Sequence, residues 1–138
     1  MSSLIYDSCL YNVFRSMIHF DTDTFRMLLV SSSYSPSKNH AKRSDIYDEI
    51  PSGNGYIQGG LDVDVQVSKD NQNNRVNIIL GEATWTNSSI IAGGAIYYRM
   101  GSSGTGTDDL ICFVEFDQEA KSENGSFTVL QSVLRVQN

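Results

Sequence analysis

The sequence predicts a mainly β protein: an antiparallel β-sandwich, jelly-roll-like, with one short N-terminal helix. Three observations lead there. Leu61, Val63, Val65 and Val67 alternate with Asp62, Asp64, Gln66 and Ser68, the period-two pattern of a strand with one buried and one wet face. Further short apolar runs follow, punctuated by Gly, Asn and Ser turns. Helical periodicity occurs once, near the start.

In chain order, residues 8–18 carry Leu10, Val13, Phe14, Met17 and Ile18 at helical spacing, with Ser8 as the candidate N-cap. About three turns of helix cannot stand alone, so this one must dock on the rest of the chain. Residues 24–31 read as a strand after the turn Asp21-Thr22-Asp23-Thr24. Residues 32–49 are polar and aperiodic, a long surface loop of the kind that often carries contacts. The run Gly53-Asn54-Gly55-Tyr56-Ile57-Gln58-Gly59-Gly60 leads into the alternating strand 61–68. Strands are then expected at 75–80, at 82–86 with the single tryptophan Trp85, and at 90–99. Gly93 and Gly94 inside the last of these suggest a bulge or a close backbone approach. A flexible Gly/Ser/Thr loop, 101–109, precedes strand 110–116. Asn124-Gly125 is a hairpin signal between 119–123 and 127–130, and 131–136 closes the chain. This amounts to about seven to nine short strands in a single sandwich domain, 1–138.

The net charge of −6 argues against nucleic acid or an anionic membrane as partner. The basic cluster Lys38, His40, Lys42 and Arg43 reads as a solvated loop. No basic leader with an apolar core opens the chain, and no apolar run approaches membrane-spanning length, so the expected site of synthesis is the cytoplasm. Cys9 and Cys112 lack metal or redox spacing and sit among apolar residues. Buried free thiols are expected, with a disulfide between them as the alternative.

Few residues point to chemistry. The glycine run lacks the Lys-Ser/Thr of a phosphate-binding loop, and a strand rather than a helix follows it, so it reads as a shape element. His19, placed at the helix end, suits the negative end of the dipole, and His40 lies in the polar loop. No nucleophile elbow is present, and the acidic pairs, Asp62/Asp64 among them, read as wet faces and turns. Asp108/Asp109 is the strongest of them as a cation site, but no metal, cofactor or catalytic residue is assigned. The aromatics carry more information. Tyr34, Tyr47, Tyr56, Trp85, Tyr97 and Tyr98 suit either a β core or a protein interface. Tyr97 and Tyr98 must face opposite sides of their strand, so one leaves the core unless both faces are covered.

The order of motifs resembles a known family. The short helix is followed by Asp21-Thr22-Asp23-Thr24-Phe25-Arg26-Met27-Leu28-Leu29-Val30 and Tyr34-Ser35-Pro36. Ser44-Asp45-Ile46, Glu49 and Gly55-Tyr56-Ile57-Gln58-Gly59-Gly60 come next. Then come Ala83-Thr84-Trp85-Thr86, Ala92-Gly93-Gly94-Ala95-Ile96-Tyr97-Tyr98, Leu110-Ile111-Cys112-Phe113-Val114-Glu115-Phe116 and Asn124-Gly125-Ser126-Phe127-Thr128-Val129. In this order they resemble a family of small virion structural proteins of tailed bacteriophages, over nearly the whole chain. The end departs from it: Gln131-Ser132-Val133-Leu134-Arg135-Val136 stands where a small-residue turn and a Gly-Ile-Leu strand would be expected. The departure bears on the register of the last strand.

The resemblance implies no enzymatic activity and no cofactor. It implies a virion protein assembled in the host cytoplasm and leaves its place on the particle open; the first expectation is a capsid decoration (cement) protein bridging major capsid subunits as a homo-oligomer, with a trimer favoured. The alternative is a tail component, either a fibre adaptor or a host-surface-binding module. A small hydrolase or carbohydrate-binding domain is a third reading. The expected contacts are the N-terminal segment and the loops 32–49 and 101–109, with Tyr34, Tyr47, Tyr56, Arg43 and Asp108 as interface residues.

Overall fold

The computed structural model describes residues 3–137. Met1 and Ser2, the start of the expected N-terminal contact segment, lie outside the described residues. The protein is mainly β, with antiparallel sheets and one helix near the N-terminus. The strands are β1 (Ser3–Ile5), β2 (Phe25–Val30), β3 (Leu61–Val63), β4 (Val65–Asp70), β5 (Arg75–Leu80), β6 (Ala83–Ser88), β7 (Ile91–Arg99), β8 (Asp109–Lys121), β9 (Gly125–Val129) and β10 (Ser132–Gln137). They form a five-stranded sheet β1-β8-β7-β2-β3, a three-stranded sheet β10-β5-β4 and a pair β6-β9. The pairings of β1 with β8, β2 with β7 and β4 with β5 are nested, as in one long hairpin rolled on itself, while β7 and β8 also lie side by side.

The five-stranded sheet is buried on both faces. Along β2, Phe25, Met27 and Leu29 enter one apolar cluster, while Leu28 and Val30 enter a second cluster on the opposite face. In β7, Tyr97 joins the first cluster and Tyr98 the second, and neither ring is exposed. Both stay in the core because both faces are covered. The smaller sheets cover one face. Tyr6, Tyr34 and Ile46 help to cover the other. The loop 32–49 is therefore a cover as well as a surface excursion. It contains one short 3-10 turn, Arg43–Asp45.

The helix α1 runs over Asp7–Phe14, shorter than the expected 8–18, and Tyr6 rather than Ser8 is its N-cap. Its end is a Schellman closure. Ser16 adopts φ 60°, its N–H donates to the Val13 carbonyl (3.1 Å), and the Met17 N–H donates to the Asn12 carbonyl (2.8 Å). The chain turns away there, so the expected apolar stripe splits. Cys9 and Ile18 are buried, but Leu10, Phe14 and Met17 point to solvent. His19 lies beyond the helix end, where its backbone N–H donates to the Asp23 carboxylate (2.8 Å) and its ring Nδ1 stands 3.9 Å from the same carboxylate.

The expected strand 61–68 is two strands. It breaks at Asp64, whose carbonyl accepts from the Gly81 N–H (2.7 Å), and the chain passes there from the five-stranded to the three-stranded sheet. Val67, expected inside, is exposed in the middle of β4, the edge strand of the three-stranded sheet. Residues 119–123 form no strand of their own, because β8 continues to Lys121. Asn124-Gly125 does turn, with Asn124 at φ 48°, but β9 pairs with β6 rather than with β8. The crossing is held by Ser88 and Ser122: their hydroxyls lie 2.9 Å apart, and the Ser122 hydroxyl also accepts from the Ile90 N–H. The closing strand β10 pairs with β5 from Ser132 opposite Leu80 to Gln137 opposite Arg75, which fixes its register.

The glycine run is a shape element. Gly53, Asn54, Gly55, Gly59 and Gly60 all have positive φ, and Gly53 and Tyr56 close a tight turn on each other. Gly93 allows a close approach, since a Cβ there would stand 2.5 Å from the Ser32 Cα, and the β7–β8 register shifts beside it.

Candidate contact surface

Four of the five expected interface residues point inward. Tyr34 is buried against Phe113, with the ring centroids 5.1 Å apart. Its hydroxyl is bonded to the Tyr6 hydroxyl (2.9 Å) and to His40 Nδ1 (2.8 Å). Tyr56 is buried beside Trp85. Its hydroxyl donates to Glu49 (2.6 Å) and accepts from the Leu29 N–H (3.1 Å). Burial is the main reason that the Tyr56 phenol is pushed far above its ordinary value.

Arg43 and Asp108 belong to a polar lock beneath the loop. The Arg43 guanidinium lies over the Tyr98 ring at 5.4 Å, donates to Asp108 (3.2 Å) and sits 3.7 Å from Glu49. The other Asp108 oxygen accepts from the Gly101 N–H (2.7 Å). Both carboxylate oxygens are engaged by protein donors. Its neighbour Asp109 is buried and accepts from Lys42 and Arg99. Lys42, Arg43 and His40 are thus held by named partners, unlike the solvated cluster expected. Asp62 is likewise paired, to Arg26 at 2.8 Å. The lock reaches the glycine run as well: the Gly59 N–H donates to Glu49 (2.7 Å), and the Tyr98 hydroxyl donates to the Gly59 carbonyl (2.5 Å). These bonds join the loops 32–49 and 101–108 to β7 and β8. The sequence shows the charges but not their pairing, because Arg43 and Asp108 are 65 residues apart.

Tyr47 is the exception. It is 89% exposed, at the mouth of an open groove lined also by Asp48, Asn54, Ser89 and Ile91.

A group of exposed apolar side chains lies on α1 and just beyond its end. Phe14 is 86% exposed, and Leu10, Tyr11 and Met17 are each about half exposed or more. Leu10 and Tyr11 each lie one turn from Phe14, at i,i+4 and i,i+3, so Phe14 links them into one band. The Arg15 guanidinium lies 5.1 Å from the centre of the Tyr11 ring and donates to its hydroxyl (2.6 Å), which holds that ring in place. Large apolar groups gathered on one face of a helix are a frequent mark of protein contact. The sequence contains this band, but its spacing also suits a core-facing stripe, and the helix end decided between the two.

Both cysteines are free and buried. Burial, with the nearby Asp109 charge, pushes the Cys9 thiol up to about 12, and burial likewise raises Cys112. Among the described residues, no cluster of three or more His, Cys, Asp or Glu side chains is arranged to hold a metal ion, and no helix is long and apolar enough to cross a membrane. Comparison of the chain with protein-family models, with curated proteins and with solved structures finds no match.

Proposed function

We propose that this chain is a non-enzymatic structural protein of a tailed-bacteriophage virion, a capsid decoration protein that stabilises the head by bridging major capsid subunits. The motif order in the sequence suggests the family. The observation that carries a binding role is the α1 band, Leu10, Tyr11 and Phe14, exposed on a fold whose buried clusters do not include it, with Met17 exposed just past the helix end. Covering such side chains at about 25 cal/mol per Å² rewards docking, and aromatic anchors commonly dominate interface energies. The polar lock suits a mechanical role, because it ties the loops 32–49 and 101–108 to the central sheet and keeps the outer surface in one shape. Self-association, as a trimer, belongs to the same proposal. Immunogold labelling and copy counting on purified particles test it. Label over the whole head at hundreds of copies, the expectation for a decoration protein filling a lattice, is the supporting result. Label confined to the tail moves the protein to a fibre adaptor or host-binding module, and absence from the particle overturns the reading.

A further inference from the structure

Among the described residues, the two larger sheets are joined on one side and open on the other. On the joined side β3 runs into β4 at Asp64. On the open side the edge strands β1 and β10 border one groove of about 640 Å³, lined by residues 3–5, 112–114 and 132–135 together with Asp7, Leu10 and Lys38.

Backbone alternation shows what these edges present. The Tyr6 N–H donates to the Ile111 carbonyl (3.2 Å), so Tyr6 and Leu4 bond across to β8, and Ser3 and Ile5 direct their N–H and C=O groups away from it. In the other sheet the Gly81 N–H donates to the Asp64 carbonyl, so the odd-numbered residues of β5 bond to β4 and the even-numbered ones to β10. Leu80, Ile78 and Val76 therefore serve Ser132, Leu134 and Val136, while Val133 and Arg135 direct their backbone groups outward. Ile5, Val133 and Arg135 all line the groove. Natural edge strands are blunted by short length, charged side chains, proline or a bulge; β10, Ser-Val-Leu-Arg-Val-Gln, has six residues with neither proline nor bulge in its ladder, and Arg135 is its one charge.

We infer that this groove is a strand-acceptor slot: an extended segment of another chain inserts between β1 and β10 and joins the two sheets. Its backbone pairs with the outward groups, and its alternate side chains enter over Cys112 and Leu134. The occupant is an acidic, alternating apolar segment. Lys38 and Arg135 line the slot against the single carboxylate of Asp7, which makes it a locally positive place on a chain of net charge −6. That the donor is a virion protein rests on the function proposed above; the slot does not.

The test titrates the isotopically labelled full chain with a synthetic peptide of about seven residues alternating valine with glutamate, read by amide exchange. Exchange at Ile5, Val133 and Arg135 is expected to slow at least about tenfold, and an analogue with lysine for glutamate is expected to bind more weakly. Val133→Pro removes an outward N–H that takes no part in the β5 ladder, so it abolishes peptide binding while the fold survives. Lys38→Glu combined with Arg135→Glu reverses the preference between the two peptides, and this carries the test should the proline variant fail to fold. The inference is overturned if these amides gain no protection, if protection is indifferent to both sets of substitutions, or if raising the protein concentration alone protects them, which would make a second copy the occupant. Failure here leaves the particle-labelling result untouched, and the reverse also holds.

Discussion

A Cβ on Gly60 would stand 1.7 Å from the Met27 carbonyl oxygen, with φ at +76°. Space and conformation both exclude a side chain there. Gly104 also has positive φ (+74°), but nothing lies within 4 Å of its missing Cβ. The pair separates two costs that the sequence shows as one glycine symbol. Gly60→Ala is expected to destabilise by about 3 kcal/mol or more, through displacement of β2, while Gly104→Ala costs about 1 kcal/mol from backbone strain alone. Urea denaturation of the two variants measures the difference, and equal costs would mean that β2 and the glycine run move apart freely. Cys9 and Cys112 follow the same logic of burial. With the Cys9 thiol raised to about 12 and both side chains enclosed, neither is expected to react with iodoacetamide at pH 8 until the protein is unfolded. Rapid labelling of the native protein would show that the cover over them opens.

At the scale of elements, the strands whose sequence carried a local signal were legible. β5 and β7 lie within a residue of their expected limits, because each is a short apolar run between turn residues. α1 was legible in place but not in length, since a serine in the left-handed region ends it where no glycine gives warning. The loop 32–49 was legible only as a loop. Its ordering comes from partners distant in sequence and, locally, from Asp45, whose carboxylate accepts from the Ala41 (2.9 Å) and Lys42 (3.0 Å) N–H groups. Those backbone bonds hold its pKa below the ordinary 3.8. The stabilisation is therefore complete above about pH 4 and is lost as pH falls through the lowered value. Asp45→Asn is therefore expected to cost about 1 kcal/mol at pH 7 and much less at pH 2, and denaturant melts at both values check it. An equal cost at both would show that the charge is not what orders the turn.

At the scale of the whole molecule, the exposed α1 band and the open β1–β10 side lie together, with Leu10 in both. Leu10→Glu with Phe14→Glu is expected to leave the melting temperature within a few degrees, since the two side chains are largely outside the core, and to abolish incorporation into particles. Normal incorporation would remove the band from the contact surface. What the sequence determined by itself is local: a mainly β chain with one early helix, buried free thiols, and a glycine run that shapes the chain. Period, turn chemistry and the steric freedom of glycine act between near neighbours, so they can be read along the chain. The tertiary structure alone decided that Tyr34, Tyr56, Arg43 and Asp108 face inward, that Leu10 and Phe14 face outward, and that, among the described residues, one side of the paired sheets stays open. Those outcomes depend on which distant segment covers which face, and alternation says only that two faces exist, not what lies on each.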